Sequence, residues 1–392
     1  MVIKVRCPNA ACRKLHAVPD RLAGRRGKCP DCGAVVSVPG RPAAAAAPRP
    51  AAAARPAPAP ADGPAEVRVG CIGRGNAGKT ALFHALGEGL VGDFLPSGLH
   101  ADAADPREVA RLIREAEENQ RLLEQSGLPP TAKPSDIHYC IYDGDDACIA
   151  YRMREVVGQI LTHTLPDSAA DLQVRYRDYL RSLVDAHVLW AVVPCPPPDP
   201  GPRDRRRYAN DLRITVAYLR EALRLRPRDE PVAVALVLSK IDTLFADAAE
   251  ARAALTDDTL RTALGPLVNL VRTSPRVSDA AIAPVTAFGF GTAVLRDGDA
   301  ARTGADDEPF GAEPVWLLKE GVSPRPYNLD TLFLWTLLLG LYTQVGRGVD
   351  PETPIRGIYR RLSDDLEKAD PWLFAIKGRA VDERQTAGTG RG

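Results

Sequence analysis

Nowhere in the 392 residues is there an apolar run long enough to cross a bilayer. The longest, Leu329 to Tyr342, falls short of the roughly 20 residues that a spanning helix needs. Nor is there an excess of charge of one sign. With 51 basic and 50 acidic residues, the formal net charge is +1, so overall composition points to neither a nucleic-acid nor a membrane surface. The opening MVIKVRCPNA lacks the apolar centre of an export signal, and the expectation is a cytoplasmic chain with no membrane partner. The six histidines follow no metal-ligand spacing. The chain is also too long for one average domain, which predicts a large buried core with additions.

Cysteine, by contrast, is present and patterned. Cys7, Cys12, Cys29 and Cys32 form C-x4-C-x16-C-x2-C, two thiolate-bearing turns that together offer four soft ligands in a tetrahedron. A segment of this size cannot bury enough apolar surface to fold alone, and zinc would supply the missing free energy. Disulfides or free thiols are the alternatives. The other four cysteines have no such grouping. Cys71, Cys140 and Cys148 are expected as small core residues, and Cys195 lies in a proline-rich loop, PCPPPDPGP. Residues 6 to 39, with VPD, LAGRRGKCP and CGAVV elements, resemble the short prokaryotic zinc ribbons that begin many bacterial regulatory proteins. Arg13, Lys14, Arg21, Arg25, Arg26 and Lys28 make the ribbon basic. No aromatic platform is interleaved with them, so a solvated surface is expected in preference to a nucleic-acid contact.

Residues 39–65 are alanine and proline with little else, a semi-extended tether reaching at most roughly 80 Å at polyproline spacing. After it, Gly73 to Thr80 reads GRGNAGKT and fits G-x-x-x-x-G-K-[ST] at every fixed position, between the apolar Val67 to Ile72 and the helix-prone ALFHALGEG. Gly73, Gly75 and Gly78 permit a turn whose backbone N–H groups, with those of Asn76, Ala77 and Ala81 at the helix start, point toward phosphate oxygens. Lys79 would reach the β and γ phosphates and the Thr80 hydroxyl would bind magnesium.

Strands are expected at 67–72, 138–142, 187–193, 232–238 and 282–287 with helices between them, one of which spans 105–127. Asp143, closing the second strand, is the expected magnesium-side carboxylate, and Thr131 the expected switch threonine. A GTPase would have glycine three residues after such an acid, where this chain has Asp146, and no glutamine follows in DGDDA to orient water. Ser239-Lys240-Ile241-Asp242 has the shape of the guanine-reading [NT]KxD element: Asp242 would accept from guanine N1 and N2, and the Lys240 stem would lie along the base. Thr286-Ala287-Phe288 fits the weaker last element, whose backbone amide would meet guanine O6. Arg203, Arg205, Arg206 and Arg207 read as a solvated loop. Asn328 to Val345 reads as an amphipathic helix closing the sheet.

In this order, the motifs resemble those of the translation-factor-like branch of P-loop GTPases, and GRGNAGKT resembles the GRPNxGK[ST] of Era and TrmE-like members. The resemblance covers about residues 66–347, and PVWLLKEGVSPRPYNLDTLFLWTLLLG resembles the end of GTPases from bacterial conflict and signalling systems. It implies an α/β, three-layer P-loop domain with a largely parallel sheet, using GTP and magnesium. It also implies a potassium ion held by Asn76, as in TrmE-like members, and a protein effector. The expected organisation is a zinc ribbon at 1–38, a disordered linker at 39–65 and the nucleotide domain at 66–347. A helical extension at 348–378 and a disordered tail at 379–392 follow. The functional expectation is a slowly hydrolysing GTP switch with a tethered zinc ribbon. Two readings remain beside it, a scaffold that holds nucleotide without turnover and a nucleic-acid adaptor in which the ribbon is primary.

Overall fold

The computed structural model describes residues 2–6, 12, 14–19, 26–29, 31–37, 64–75, 77–91, 94–96, 98–103, 118, 121–122, 135–155, 180–181, 183–197, 201–295, 316–319, 322, 324–345, 354–368 and 371–378. The expected helix at 105–127 lies almost wholly outside them, as do Cys7, Asn76, Thr131 and the 379–392 tail. The chain divides into two compact units, 1–63 and 64–392.

The first unit holds two antiparallel hairpins. Strand β1 (Val2–Arg6) pairs with β2 (Leu15–Pro19), and β3 (Arg26–Lys28) pairs with β4 (Val35–Ser37). Between β3 and β4 the chain turns on itself: Gly33 N–H donates to Cys29 O and Cys29 N–H to Ala34 O, both at 2.8 Å, with Gly33 at φ +72°. A left-handed backbone of this kind costs glycine little.

The second unit is built on an eight-stranded sheet in the order β14-β11-β10-β9-β5-β8-β7-β6. Its parallel core comprises β5 (Ala65–Ile72), β8 (Asp146–Glu155), β9 (Val188–Pro194), β10 (Val232–Ser239) and β11 (Val277–Pro284). Strands β6 (Leu99–Ala103), β7 (Ser135–Asp143) and β14 (Phe374–Lys377) run antiparallel at the two edges. A short separate pair, β12 (Ala293–Leu295) and β13 (Trp316–Leu318), completes the strands. The five expected strands are all present with shifted ends; β6, β8 and β14 of this sheet are not among the expected ones, and β14 falls in the stretch, 348–378, expected as a helical extension.

Helices cover both faces of the sheet, giving three layers. On one face, α1 (Lys79–Val91), α6 (Leu329–Val345) and α7 (Pro354–Lys368) share a core with the strands through Leu82, Leu86, Phe333, Leu337, Ile358 and Leu362. On the other lie α2 (Pro202–Leu225), α3 (Ala248–Ala254), α4 (Asp257–Ala263) and α5 (Gly265–Thr273), contributing Leu212, Leu219, Ala251, Leu260, Leu267 and Val271. Burial on both faces explains why β10 reads VAVALVLS, with every residue buried. The antiparallel β7 and β8 instead alternate: Ile149, Tyr151 and Met153 are buried while Arg152 is exposed.

Two expectations about helices change. The arginine run at 203–207 is not a loop but the first turns of α2, which starts with Gly201 at the N-cap and Pro202 in the first turn. Helix α6 is not amphipathic, because it lies between the sheet and α7 and is covered nearly all round; Asp330 is its exposed residue within 329–343. Its close approach depends on Gly340, where a Cβ would sit 2.4 Å from Val67 Cγ1.

Candidate functional site

Strand β5 is buried over its last four residues, and the chain then turns from Gly73 to Gly78 into α1 at Lys79. The turn is tight because it is pressed against β9: a Cβ on Gly73 would lie 2.8 Å from the Val192 carbonyl oxygen. Gly78 takes φ +83°, and the helix closes its first turn with Leu82 N–H donating to Gly78 O at 3.0 Å. Lys79 is buried and folds back over the loop, its Nζ donating to Gly73 O and Arg74 O, each at 2.8 Å. Arg74 O also accepts from Ala77 N–H at 3.3 Å. Gly75 is half-buried in the same turn, and Thr80 and Ala81 follow Lys79 in the first helical turn.

The loops that leave β10 and β11 lie beside this turn, at the carboxyl ends of their strands, where ligands of open α/β sheets bind. Ser239 connects them. Its buried hydroxyl donates to Ala77 O at 2.6 Å and lies 3.3 Å from Val193 O, joining the β10 loop to the turn after β5. Lys240 then takes a left-handed backbone, φ 60°, and its Cγ sits 3.7 Å from where a Gly78 Cβ would be. Asp242 follows in a short 3-10 turn, where Thr243 Oγ1 donates to Lys240 O at 2.8 Å.

One carboxylate oxygen of Asp242, Oδ2, is buried without a hydrogen-bond partner. Burial pushes this carboxyl up from 3.8 to about 6, against the opposing pull of its own amide, the Phe288 and Gly289 amides and the Lys240 charge. Burial likewise draws Lys240 down to about 8, with the positive charge of Arg207 adding to the effect. The Phe288 and Gly289 amides belong to the loop after β11, which is held by Val285 N–H donating to Leu238 O at 2.8 Å and Arg325 N–H to Phe288 O at 2.7 Å. Thr286 and Ala287 are buried in that loop. The Thr286 hydroxyl accepts from Tyr327 N–H at 3.1 Å, so it serves the loop's own structure.

Helix α2 supplies a contact that the sequence did not suggest. The Arg74 guanidinium forms an ion pair with Asp211, a buried carboxylate on α2 that lies 137 residues away in the chain. Arg207, one turn earlier, is disfavoured as a cation by burial, is favoured by the Asp211 charge and is opposed by that of Arg74. Arg74 is thus a strut from the turn to α2.

Asp143, the expected magnesium-side residue, is elsewhere. Strands β7 and β8 form a hairpin around Gly144-Asp145, with Asp143 opposite Asp146. Because β8 runs parallel to β5 with Ala65 opposite Ile149 and Gly70 opposite Arg154, that hairpin turn lies at the amino end of β5. At about 3.3 Å per residue it is roughly 35 Å from Gly73. There Asp143 pairs with Arg361 of α7, which holds its carboxyl below the usual range. On the side of β5 away from β9, the strand whose carboxyl end neighbours the loop is β8, ending at Glu155, and the sequence continues Val156-Val157-Gly158-Gln159. That is an acid, two residues, a glycine and a glutamine, the spacing the sequence reading sought after Asp143. Residues 156–159 lie outside the described ones, as do Asn76 and Thr131.

In the first unit, Cys12, Cys29 and Cys32 place their sulfurs within 4.8 Å of one another, with Cys12 and Cys29 sulfurs 3.9 Å apart. Cys29 is buried and Cys32 exposed, and the fourth expected ligand, Cys7, lies outside the described residues. Beside the cluster, Lys14 donates to Asp31 at 2.6 Å, a contact that raises the lysine's pKa. Three converging thiols form a donor set that suits a soft divalent metal. Among the described residues, no helix is long and apolar enough to cross a membrane. Compared with protein-family models and with curated proteins, the chain finds no match.

Proposed function

We propose that the second unit binds GTP with magnesium and hydrolyses it slowly, and that the first binds one zinc ion through Cys7, Cys12, Cys29 and Cys32. The observation that carries the nucleotide reading is Asp242 Oδ2, a buried acceptor with no partner, in a loop hydrogen-bonded through Ser239 to the glycine-rich turn. A buried carboxylate oxygen without a donor costs free energy, and a base edge bearing two adjacent N–H donors removes that cost. Guanine has such an edge and adenine does not.

Bound GTP and magnesium would supply the scissile γ-phosphoryl group and the charge that draws it toward water. The chain's own residues divide the remaining work. Asp242 selects and orients the base, and Ser239 fixes its loop relative to the glycine-rich turn. Lys79, now donating to two carbonyls of that turn, offers its ammonium to phosphate oxygens together with the loop amides. Thr80 and Glu155 are the residues to hold magnesium, Glu155 taking the part first expected of Asp143. Gln159 is the residue to orient water.

The test is equilibrium binding of GTP, ATP and XTP with magnesium, followed by phosphate release. Preference for GTP over ATP by at least a hundredfold, lost in Asp242→Asn, is the expected result; equal affinity for the two refutes the guanine assignment. Binding without phosphate release would leave the scaffold reading in its place.

A further inference from the structure

Helix α2 turns its inner face to the sheet through Leu212, Thr215, Val216, Leu219 and Leu223, all buried. Its outer face is of a single kind. Arg206, Ala209, Arg213, Ala217, Arg220 and Arg224 are all exposed, and at 3.6 residues per turn they fall within a strip of about 80°. From Arg206 to Arg224 the strip is about 27 Å long at 1.5 Å per residue.

Little along this strip offsets the charge. Of the three acids on α2, Asp211 is engaged with Arg74 and Glu221 holds Arg224 through hydrogen bonds of 2.8 and 2.6 Å. Asp204 projects about half a turn away from Arg206. Arg206, Arg213 and Arg220 have no ion-pair partner among the described residues; Arg213 donates at 2.9 Å to the neutral Asn210. The chain as a whole is nearly neutral, at +1, so the positive field is local to this face.

We propose that the outer face of α2 docks the phosphate backbone of a nucleic acid, with Arg206, Arg213 and Arg220 as its contacts. A guanidinium fork matches a phosphate's paired oxygens, and the alanines between the arginines let a backbone approach closely. A protein partner would need an apolar centre to bury. The large hydrophobic residue exposed among the described ones is Leu225, at the end of the helix. Contact is to phosphates, so binding is independent of base sequence and strongly salt-dependent. The proposal stands apart from the guanine site, because it uses the opposite face of the helix from Asp211.

The test uses the full-length, zinc-loaded protein and fluorescein-labelled 20-base-pair duplexes of one arbitrary sequence, in RNA and in DNA, read by anisotropy. Three phosphate contacts predict a log-affinity slope near −2.7 against log salt, or about 40-fold weaker binding at 200 mM than at 50 mM. Arg206→Gln/Arg213→Gln/Arg220→Gln is expected to weaken binding at least tenfold at 50 mM with an unchanged melting temperature. The corresponding triple lysine variant should keep the slope. A weakening below fivefold across that salt range with both duplexes overturns the proposal. So does a glutamine variant that binds within twofold of the wild type, which would move the contact to another surface such as the ribbon. Tighter binding of polyglutamate or of phosphatidylserine vesicles than of either duplex would assign the face to an acidic protein or a membrane instead.

Discussion

Asp242→Asn should make the empty protein more stable while making it a worse GTP binder. Burial raises the Asp242 carboxyl from 3.8 to about 6, so at neutral pH the folded state carries a carboxylate it disfavours. At 1.36 kcal/mol per pH unit, that difference comes to roughly 3 kcal/mol of stability withheld by the ionised side chain. The sign follows from proton uptake. Between about 4 and 6 the folded state binds a proton that the unfolded state has released, so this contribution is fully present below pH 4 and lost as pH rises through about 6. An asparagine carries no such charge. Urea unfolding at pH 7.5 without nucleotide should therefore find Asp242→Asn more stable by roughly 2–3 kcal/mol, with the gain vanishing near pH 4. With GTP the order reverses, because two hydrogen bonds to a charged acceptor, at roughly 1.5–3 kcal/mol each, are lost or inverted. Affinity should fall about 100- to 10,000-fold, with XTP partly restored since an amide can donate to the oxygen that replaces the guanine amino group. An Asn variant less stable than wild type at pH 7.5, or a stability difference that does not change with pH, refutes the argument that Asp242 is held charged at a cost.

Four further substitutions separate the remaining assignments. Gly73→Ala should abolish GTP binding in a calorimetric titration, because its Cβ would lie 2.8 Å from a backbone oxygen of β9 that cannot give way; affinity within threefold of wild type would refute this. Asp143→Ala should leave GTP turnover unchanged and barely move the melting temperature, since its pair with Arg361 is part-exposed and screened by solvent. Glu155→Gln should lower phosphate release at least tenfold, and the reverse pattern would restore Asp143 to the site. Cys29→Ser should abolish stoichiometric zinc in metal analysis, with thermal unfolding of the second unit unchanged; one zinc per chain retained in the variant would refute the cysteine assignment.

The glycine-rich turn, the Ser239–Asp242 element and the five principal strands were legible because each is local. A run of apolar residues or a fixed spacing along the chain carries the information. Strand β8 was legible too, in a different signal: Asp-Gly followed by Ile149, Tyr151 and Met153 alternating with smaller or charged residues is a hairpin pattern, and Gly144 takes the required φ of 60°. An Asp143 placed at the end of a strand beside the glycine-rich turn leaves that signal out; the hairpin puts it at the other end of the sheet. The Arg74–Asp211 strut had no sequence signature, because two residues 137 positions apart meet through the packing of α2 on the sheet. The coat of α6 was hidden for a similar reason. An apolar helix gives its length in sequence, but not that α7 will cover its outer side.

The β7–β8 hairpin ties two distant places together as a stiff rod. One end of β8, Asp146, lies by the turn that Arg361 holds, and the other, Glu155, neighbours the glycine-rich turn. Travel by a single residue would turn Tyr151 and Met153 out of the core, because side chains alternate between faces. The ladders on both sides of β8 therefore hold its two ends at a fixed separation, and neither end can be reset without breaking the pairing with β5 and β7.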